Sequence, residues 1–148
     1  MEFISEALNL YCENHSEQES PLLKELNRET HLKVLSPRML SGHLQGRFLS
    51  FISKLKQPKH ILEIGTYTGY SALCLAEGLL EHGELITIDP NEETNAVAKR
   101  YFDKSDYKNK IKLLQGQASE IIPTFKHEFD IVFIDADKRN YPLYFDLV

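Results

Sequence analysis

The chain predicts an α/β fold, a parallel sheet of β-α-β units behind a leading helical layer. Three observations carry this. Up to about residue 57, apolar residues recur at helical intervals, with no strand-like run. After Pro58, four short apolar runs alternate with helical segments. The first run, His60-Ile61-Leu62-Glu63-Ile64, passes through Gly65 and Gly69 into a helix-forming stretch. A strand that reaches the next strand through a helix returns parallel to it.

The elements follow in order. Residues 2–14 predict an amphipathic helix with Phe3, Ile4, Ala7, Leu8 and Tyr11 on one side. Residues 15–19 are a polar break. Ser20-Pro21 is a cap followed by proline at the first helical position, so a helix over 22–35 is expected. Ser36-Pro37 repeats that signal and predicts a third helix to about residue 55, with Met39, Leu40, Leu44, Phe48, Leu49 and Ile52 as its packing stripe. Strands are expected at 60–65, 84–89, 110–115 and 129–135. Helices are expected at 70–81, 91–104 and 118–124. Asn91 is a candidate N-cap, with Glu92 and Glu93 favourable in the first turn. The four strands should order 3-2-1-4, in one domain with residues 1–57 as the helical layer and 58–148 as the sheet part.

Composition bounds the function. The 148 residues carry a net charge of -5, which argues against a dedicated nucleic-acid surface. No apolar stretch approaches the roughly 20 residues that span a bilayer. Cys12 and Cys74 are the only cysteines, and with no signal peptide they point to the cytoplasm. The six histidines show no metal-type spacing and are assigned to ordinary surface or core positions.

Two stretches carry chemistry. Gly65 and Gly69 free the backbone where a ligand must come close, and the helix beginning near Ser71 turns its N-terminal amides toward that turn. The next strand, Leu85-Ile86-Thr87-Ile88, ends in Asp89, where open α/β sheets hydrogen-bond a ribose. The glycine spacing is not G-x-G-x-x-G, and Glu63 beside a diphosphate would be repulsive. A cationic or zwitterionic nucleoside suits it better. Phe129-Asp130-Ile131-Val132-Phe133-Ile134 then runs out into Asp135, Asp137 and Lys138, carboxylates able to hold a hard cation beside a candidate base. For each stretch the plainer alternative is a packing turn or a solvated loop.

Glu63-Ile64-Gly65-Thr66-Tyr67-Thr68-Gly69-Tyr70-Ser71 closely resembles the first motif of the S-adenosylmethionine-dependent O-methyltransferases of the catechol and caffeoyl-CoA type. Asp135-Ala136-Asp137-Lys138-Arg139-Asn140-Tyr141 resembles a second motif of the same family. The resemblance spans residues 36–148 and implies a Rossmann-like methyltransferase fold with S-adenosylmethionine as cofactor. It implies that Met39, Ser41, Glu63, Gly65, Tyr67, Ser71, Asp89, Ala118 and Asp135 bind that cofactor. Within this set Tyr67 and Ser71 match contacts to the methionine moiety, Ala118 the adenine turn, and Met39 and Ser41 a covering helix. Asp135 would also ligate a divalent metal, Mg or Ca, and Lys138 would act as general base on a hydroxylated small-molecule acceptor.

The family continues past this point with further strands and an Asp-Asn pair that completes the metal site. The expectation is therefore a shortened form, inactive alone, whose last strand is an open edge covered by a partner chain in a homodimer or by a further C-terminal segment. Three other readings stay open. One is a cofactor-binding fragment without catalysis. Another is a nicotinamide-dependent oxidoreductase, which the glycine spacing disfavours. The third keeps the chemistry with a hydroxylated tRNA base as acceptor, against which the acidic charge weighs.

Overall fold

The computed structural model describes residues 4–148. Phe3, assigned above to the first helix's apolar side, lies outside the described residues. Four strands, β1 (His60–Ile64), β2 (Glu84–Asp89), β3 (Ile111–Gln115) and β4 (Ile131–Ile134), form one sheet in the order β3-β2-β1-β4. All three pairings are parallel, so β1 is interior and β4 is an edge of the described sheet, as expected. Ile61 lies opposite Leu85 and Ile131, and Ile64 opposite Ile88 and Ile134.

Alternation along the strands divides the core in two. Ile61, Leu85, Ile111, Leu113, Ile131 and Phe133 face one side, packed with Leu26, Leu73, Leu75, Ala98, Tyr101 and Phe102. These come from α2 (Pro21–Lys33), α4 (Tyr70–Ala76) and α5 (Glu92–Lys104). Leu62, Ile64, Ile86, Ile88, Val132 and Ile134 face the other side, against Ala118, Ile122 and Tyr144. Burial on both faces is why β1 and β2 read as continuous apolar runs. β4 is only half-buried along its length.

Helix starts follow local chemistry. Ser20 Oγ accepts from the Leu23 N–H at 3.2 Å, with Pro21 as the first helical residue. Asn91 Oδ1 accepts from the amides of Glu93 and Thr94 at 2.9 and 3.2 Å and caps α5. The first helix, α1 (Glu6–Asn14), forms where expected, but Ile4, Leu8 and Tyr11 are each more than half exposed. Its apolar side therefore stays largely uncovered.

Three helical segments are broken or shortened relative to the sequence reading. The helix expected from residue 36 breaks in two: a 3-10 turn over Pro37–Met39, then α3 (Gly42–Lys56). Leu40 is extended and Gly42 has φ +74°, so the chain turns before the helix can propagate. Of the predicted stripe, Leu49 is buried while Met39 and Phe48 are exposed. The helix expected over 70–81 ends at Ala76, ahead of Gly78. The segment 118–124 divides into α6 (Ala118–Ile121) and a 3-10 turn over Ile122–Thr124, where Pro123 cannot donate an N–H. The motif after β4 continues into an unforeseen helix, α7 (Tyr141–Leu147), whose Tyr144 is buried against the sheet.

Candidate active site

β2 and β4 lie on opposite sides of β1, so the connections leaving β1 and β4 diverge and open a crevice at the strands' carboxyl ends. A cleft of about 860 Å³ lies there. It is lined by the turn after β1, the start of α4, the ends of β2 and β4, the Gly116–Ala118 turn and the segment ahead of α3. That volume suits a nucleoside-sized ligand.

The turn after β1 is shaped by the protein itself. Gly65 has φ +103°, and a Cβ there would collide with the Asp135 carbonyl. Gly69 has φ +88°, and a Cβ there would lie 2.6 Å from the Phe102 ring and 3.1 Å from Ala98. The sequence reading reserved both glycines for ligand approach. The structure shows that backbone crossing at β4 and packing of α5 already require them. The Gly65 N–H donates to Ile88 O and the Asp135 N–H to Ile64 O, both at 2.9 Å, so the three strand ends meet at this turn.

Asp89 is set in place before any ligand arrives. Its Oδ2 accepts from the Tyr67 N–H at 3.0 Å and its Oδ1 from the Asn91 N–H at 2.9 Å. The Asn95 amide donates to its carbonyl at 2.9 Å. Two N–H donors use about half of a carboxylate's acceptor sites, and the rest can accept from ligand hydroxyls. Tyr67, with φ +48°, is held by the Asp89 bond, and its phenol donates to Leu35 O at 2.9 Å. That bond ties the segment ahead of α3 to the turn. Met39 lines the cleft from the end of the 3-10 turn and Ser41 from the cap position of α3, rather than from within one covering α-helix.

Glu63 sits beneath the floor and is fully buried. Its Oε2 accepts from Thr87 Oγ1 at 2.5 Å, and Thr87 and Thr66 share a further bond at 2.6 Å. Oε1 has no protein partner. Burial pushes the carboxyl up to about 7, against the pull of the Ser71 and Thr87 hydroxyls. Glu63 therefore differs from the other expected site residues. Met39, Ser41, Gly65, Tyr67, Ser71, Asp89, Ala118, Asp135 and Lys138 all line the cleft, and Glu63 does not.

Asp135 and Lys138 are exposed at the other side of the turn. Among the described residues Lys138 has no ion pair. Asp137 is occupied structurally. Its Oδ1 accepts from the Asn140 side chain at 2.8 Å and its Oδ2 from the Tyr144 hydroxyl at 2.8 Å. The pair expected to gather around a hard cation thus leaves Asp135 as its unengaged carboxylate. That is well short of the six or so oxygen ligands such an ion takes. The carboxylates of the cleft alone therefore supply too few oxygens to hold a magnesium or calcium ion.

The profile of the O-methyltransferase family matches residues 13–148. The chain belongs to the O-methyltransferase family. A catechol O-methyltransferase from Niastella koreensis is 39% identical over 105 residues, covering 68% of this chain and 48% of that protein. A caffeoyl-CoA O-methyltransferase from Populus kitakamiensis is 36% identical over 148 residues, covering 95% of this chain and 63% of that protein. Among solved structures, the chain superimposes on an SAH-bound methyltransferase of Podospora anserina with TM-score 0.90, at 32% identity, covering 99% of this chain and 64% of that one. An O-methyltransferase from Bacillus cereus in complex with SAH gives TM-score 0.87 at 30% identity, covering 95% and 66%. The chain thus spans about half to two thirds of the curated relatives named here.

The sequence reading missed several cleft residues. Leu35 and Ser36 line it because the segment ahead of α3 folds back over the turn, and Gln45 lines it from the first turns of α3. Tyr144 lines it because α7 returns to the sheet. Only Tyr144 had a local signal, lying just after the second motif. Leu35 and Ser36 depend on tertiary bonds from the Tyr67 phenol.

Proposed function

We propose that the protein carrying these residues transfers a methyl group from S-adenosylmethionine to a hydroxyl oxygen of a small catechol-like or phenolic acceptor. The observation that carries this is the cleft around the Gly65 turn, with Asp89 on the β2 side and Asp135 and Lys138 on the β4 side. Family membership and the relatives' named activities support it. In this reading Asp89 accepts the ribose hydroxyls and the Gly116–Ala118 turn backs the adenine. Gly65, Tyr67 and Ser71 hold the methionine end, and Met39 and Ser41 close over it. Glu63 supports the site from below through Thr87 and Ser71.

The acceptor oxygen attacks the methyl carbon in line, the carbon–sulfur bond breaks, and the sulfide leaves neutral. Lys138 Nζ takes the hydroxyl proton. Positioning supplies much of the rate. A divalent cation belongs to the same proposal, with Asp135 as one of its ligands. When bound it would lower the acceptor's pKa. The proposal also takes residues 1–148 as one domain, in a homodimer. A reducing compartment such as the cytoplasm suits the free thiols of Cys12 and Cys74. Among the described residues no helix is long and apolar enough to cross a membrane.

The test is calorimetric titration of the chain with S-adenosylhomocysteine and separately with NAD. Binding of the first alone is expected. Asp89→Ala should weaken it by about 1.5–3 kcal/mol, the range for hydrogen bonds to a charged acceptor. NAD binding in its place, or no binding to a folded chain, overturns the reading. Asp135→Asn in the whole protein should sharply lower turnover and leave S-adenosylhomocysteine affinity largely intact. Turnover that survives both this change and exhaustive chelation removes the metal from the proposal.

A further inference from the structure

The opposite pole of the sheet holds a second group of ligand-type side chains. His60 is the first residue of β1 and Glu84 the first of β2, and the parallel register sets them side by side. His127 reaches them from the loop that leads into β4. One ligand atom from each lies within 4.8 Å of the others. Among the described residues this is the one such group of three or more. It lies at the amino ends of the strands, away from the cleft, and the proposed reaction makes no use of it.

The local geometry is that of a site close to assembled. His60 Nδ1 is buried and has no hydrogen-bond partner. It lies 3.6 Å from Glu84 Oε1, too far for a hydrogen bond but close to the separation of about 3.3 Å that two ligands adopt on a tetrahedral ion with bonds of about 2.0 Å. The His60 and His127 rings are 4.6 Å apart between centroids. His127 is held by Phe129, with ring centroids 5.0 Å apart in an edge contact. The loop is pinned three residues on, where Asp130 Oδ2 accepts from the amides of Lys59 and His60 at 2.8 and 3.0 Å. Lys112 Nζ occupies Glu84 Oε2 at 2.5 Å, which leaves Oε1 turned toward His60.

From this juxtaposition we propose that His60, Glu84 and His127 bind a first-row transition cation of the zinc class. Two imidazoles and one carboxylate form a donor set that zinc accepts readily and that magnesium and calcium, which prefer oxygen, do not. Water completes a tetrahedron. His127 is exposed, so its ring can close the remaining distance without disturbing the core. The bound ion would clamp the loop entering β4, the edge strand whose far end carries Asp135 and Lys138.

The experiment is calorimetric titration of the chain with Zn²⁺ in excess Mg²⁺, in a Cys12→Ser background that removes the more accessible thiol. One equivalent should bind and raise the melting temperature. His127→Ala should weaken binding by at least about tenfold, the lower bound for losing even an outer-shell partner. It should leave S-adenosylhomocysteine affinity unchanged. Lys112→Met frees the second Glu84 oxygen and removes a nearby positive charge, so it should tighten binding. Co²⁺ in place of zinc should give the strong visible absorption of a tetrahedral ion, absent in His127→Ala. No stoichiometric Zn²⁺ binding, or the same affinity and Co²⁺ spectrum in His127→Ala, overturns the proposal.

Discussion

Glu63 makes the stability of the fold depend on pH in a direction opposite to most carboxylates. The perturbation is Glu63→Gln, which keeps the shape and the carbonyl that accepts from Thr87 but cannot ionise. In the folded chain, burial raises the Glu63 carboxyl from 4.5 to about 7. The folded state therefore keeps a proton that the unfolded chain has already released. For a carboxyl raised in this way, the stabilising contribution is complete below the unfolded value of 4.5 and is lost as pH rises through the folded value near 7. At about 1.4 kcal/mol per pH unit, that interval corresponds to about 3 kcal/mol. No screening discount applies, because the side chain has no solvent exposure. Urea denaturation of both forms from about pH 4.5 to about pH 9 measures it. The stability of Glu63→Gln minus that of the parent should rise by about 3 kcal/mol up to pH 7 and stay level above. A difference constant within about 1 kcal/mol across that range would refute the reasoning, since Glu63 would then ionise as freely as an exposed side chain.

Two further changes test packing, one at the cleft and one between α3 and the end of α4. Gly65→Ala places a methyl against the Asp135 carbonyl at φ +103° and should lower stability by about 3 kcal/mol in thermal or urea unfolding; parent-like stability would mean that β1 and β4 do not close so tightly. Arg47→Ala removes the buried guanidinium that contacts Glu77 at 2.6 Å. Because Ser50 and Lys54 still hold Glu77, the loss in urea should be about 2–3 kcal/mol, at or below the low end for a broken buried pair, and a loss under about 0.5 kcal/mol would class the contact as a surface pair.

Much of the fold was legible along the chain because the signals are local. Apolar runs of five or six residues marked β1, β2 and β3, and Asn91 and Ser20 marked helix starts where their side chains do accept the expected amides. The 3-10 turn and break ahead of α3 were not legible, since an apolar stripe at helical spacing does not reveal a glycine at φ +74°. The exposed side of α1 had the same periodicity as a packed one. Periodicity says which residues could share a face, and only the neighbours decide whether that face is covered.

The site divides along the same line. By itself the sequence determined the two motifs, the acid ending β2 and the placement of both at the strands' carboxyl ends, because each is a contiguous stretch tied to one strand. Tertiary structure alone decided the rest. It made Gly65 a backbone crossing point, placed Glu63 under the floor where desolvation changes its ionisation, and committed Asp137 to Tyr144. It also brought together His60, Glu84 and His127, whose spacing along the chain carries no metal signature. The physical reason is that burial and ligand geometry are set by distances between side chains far apart in sequence, and parallel strand register creates those distances only once the sheet has formed.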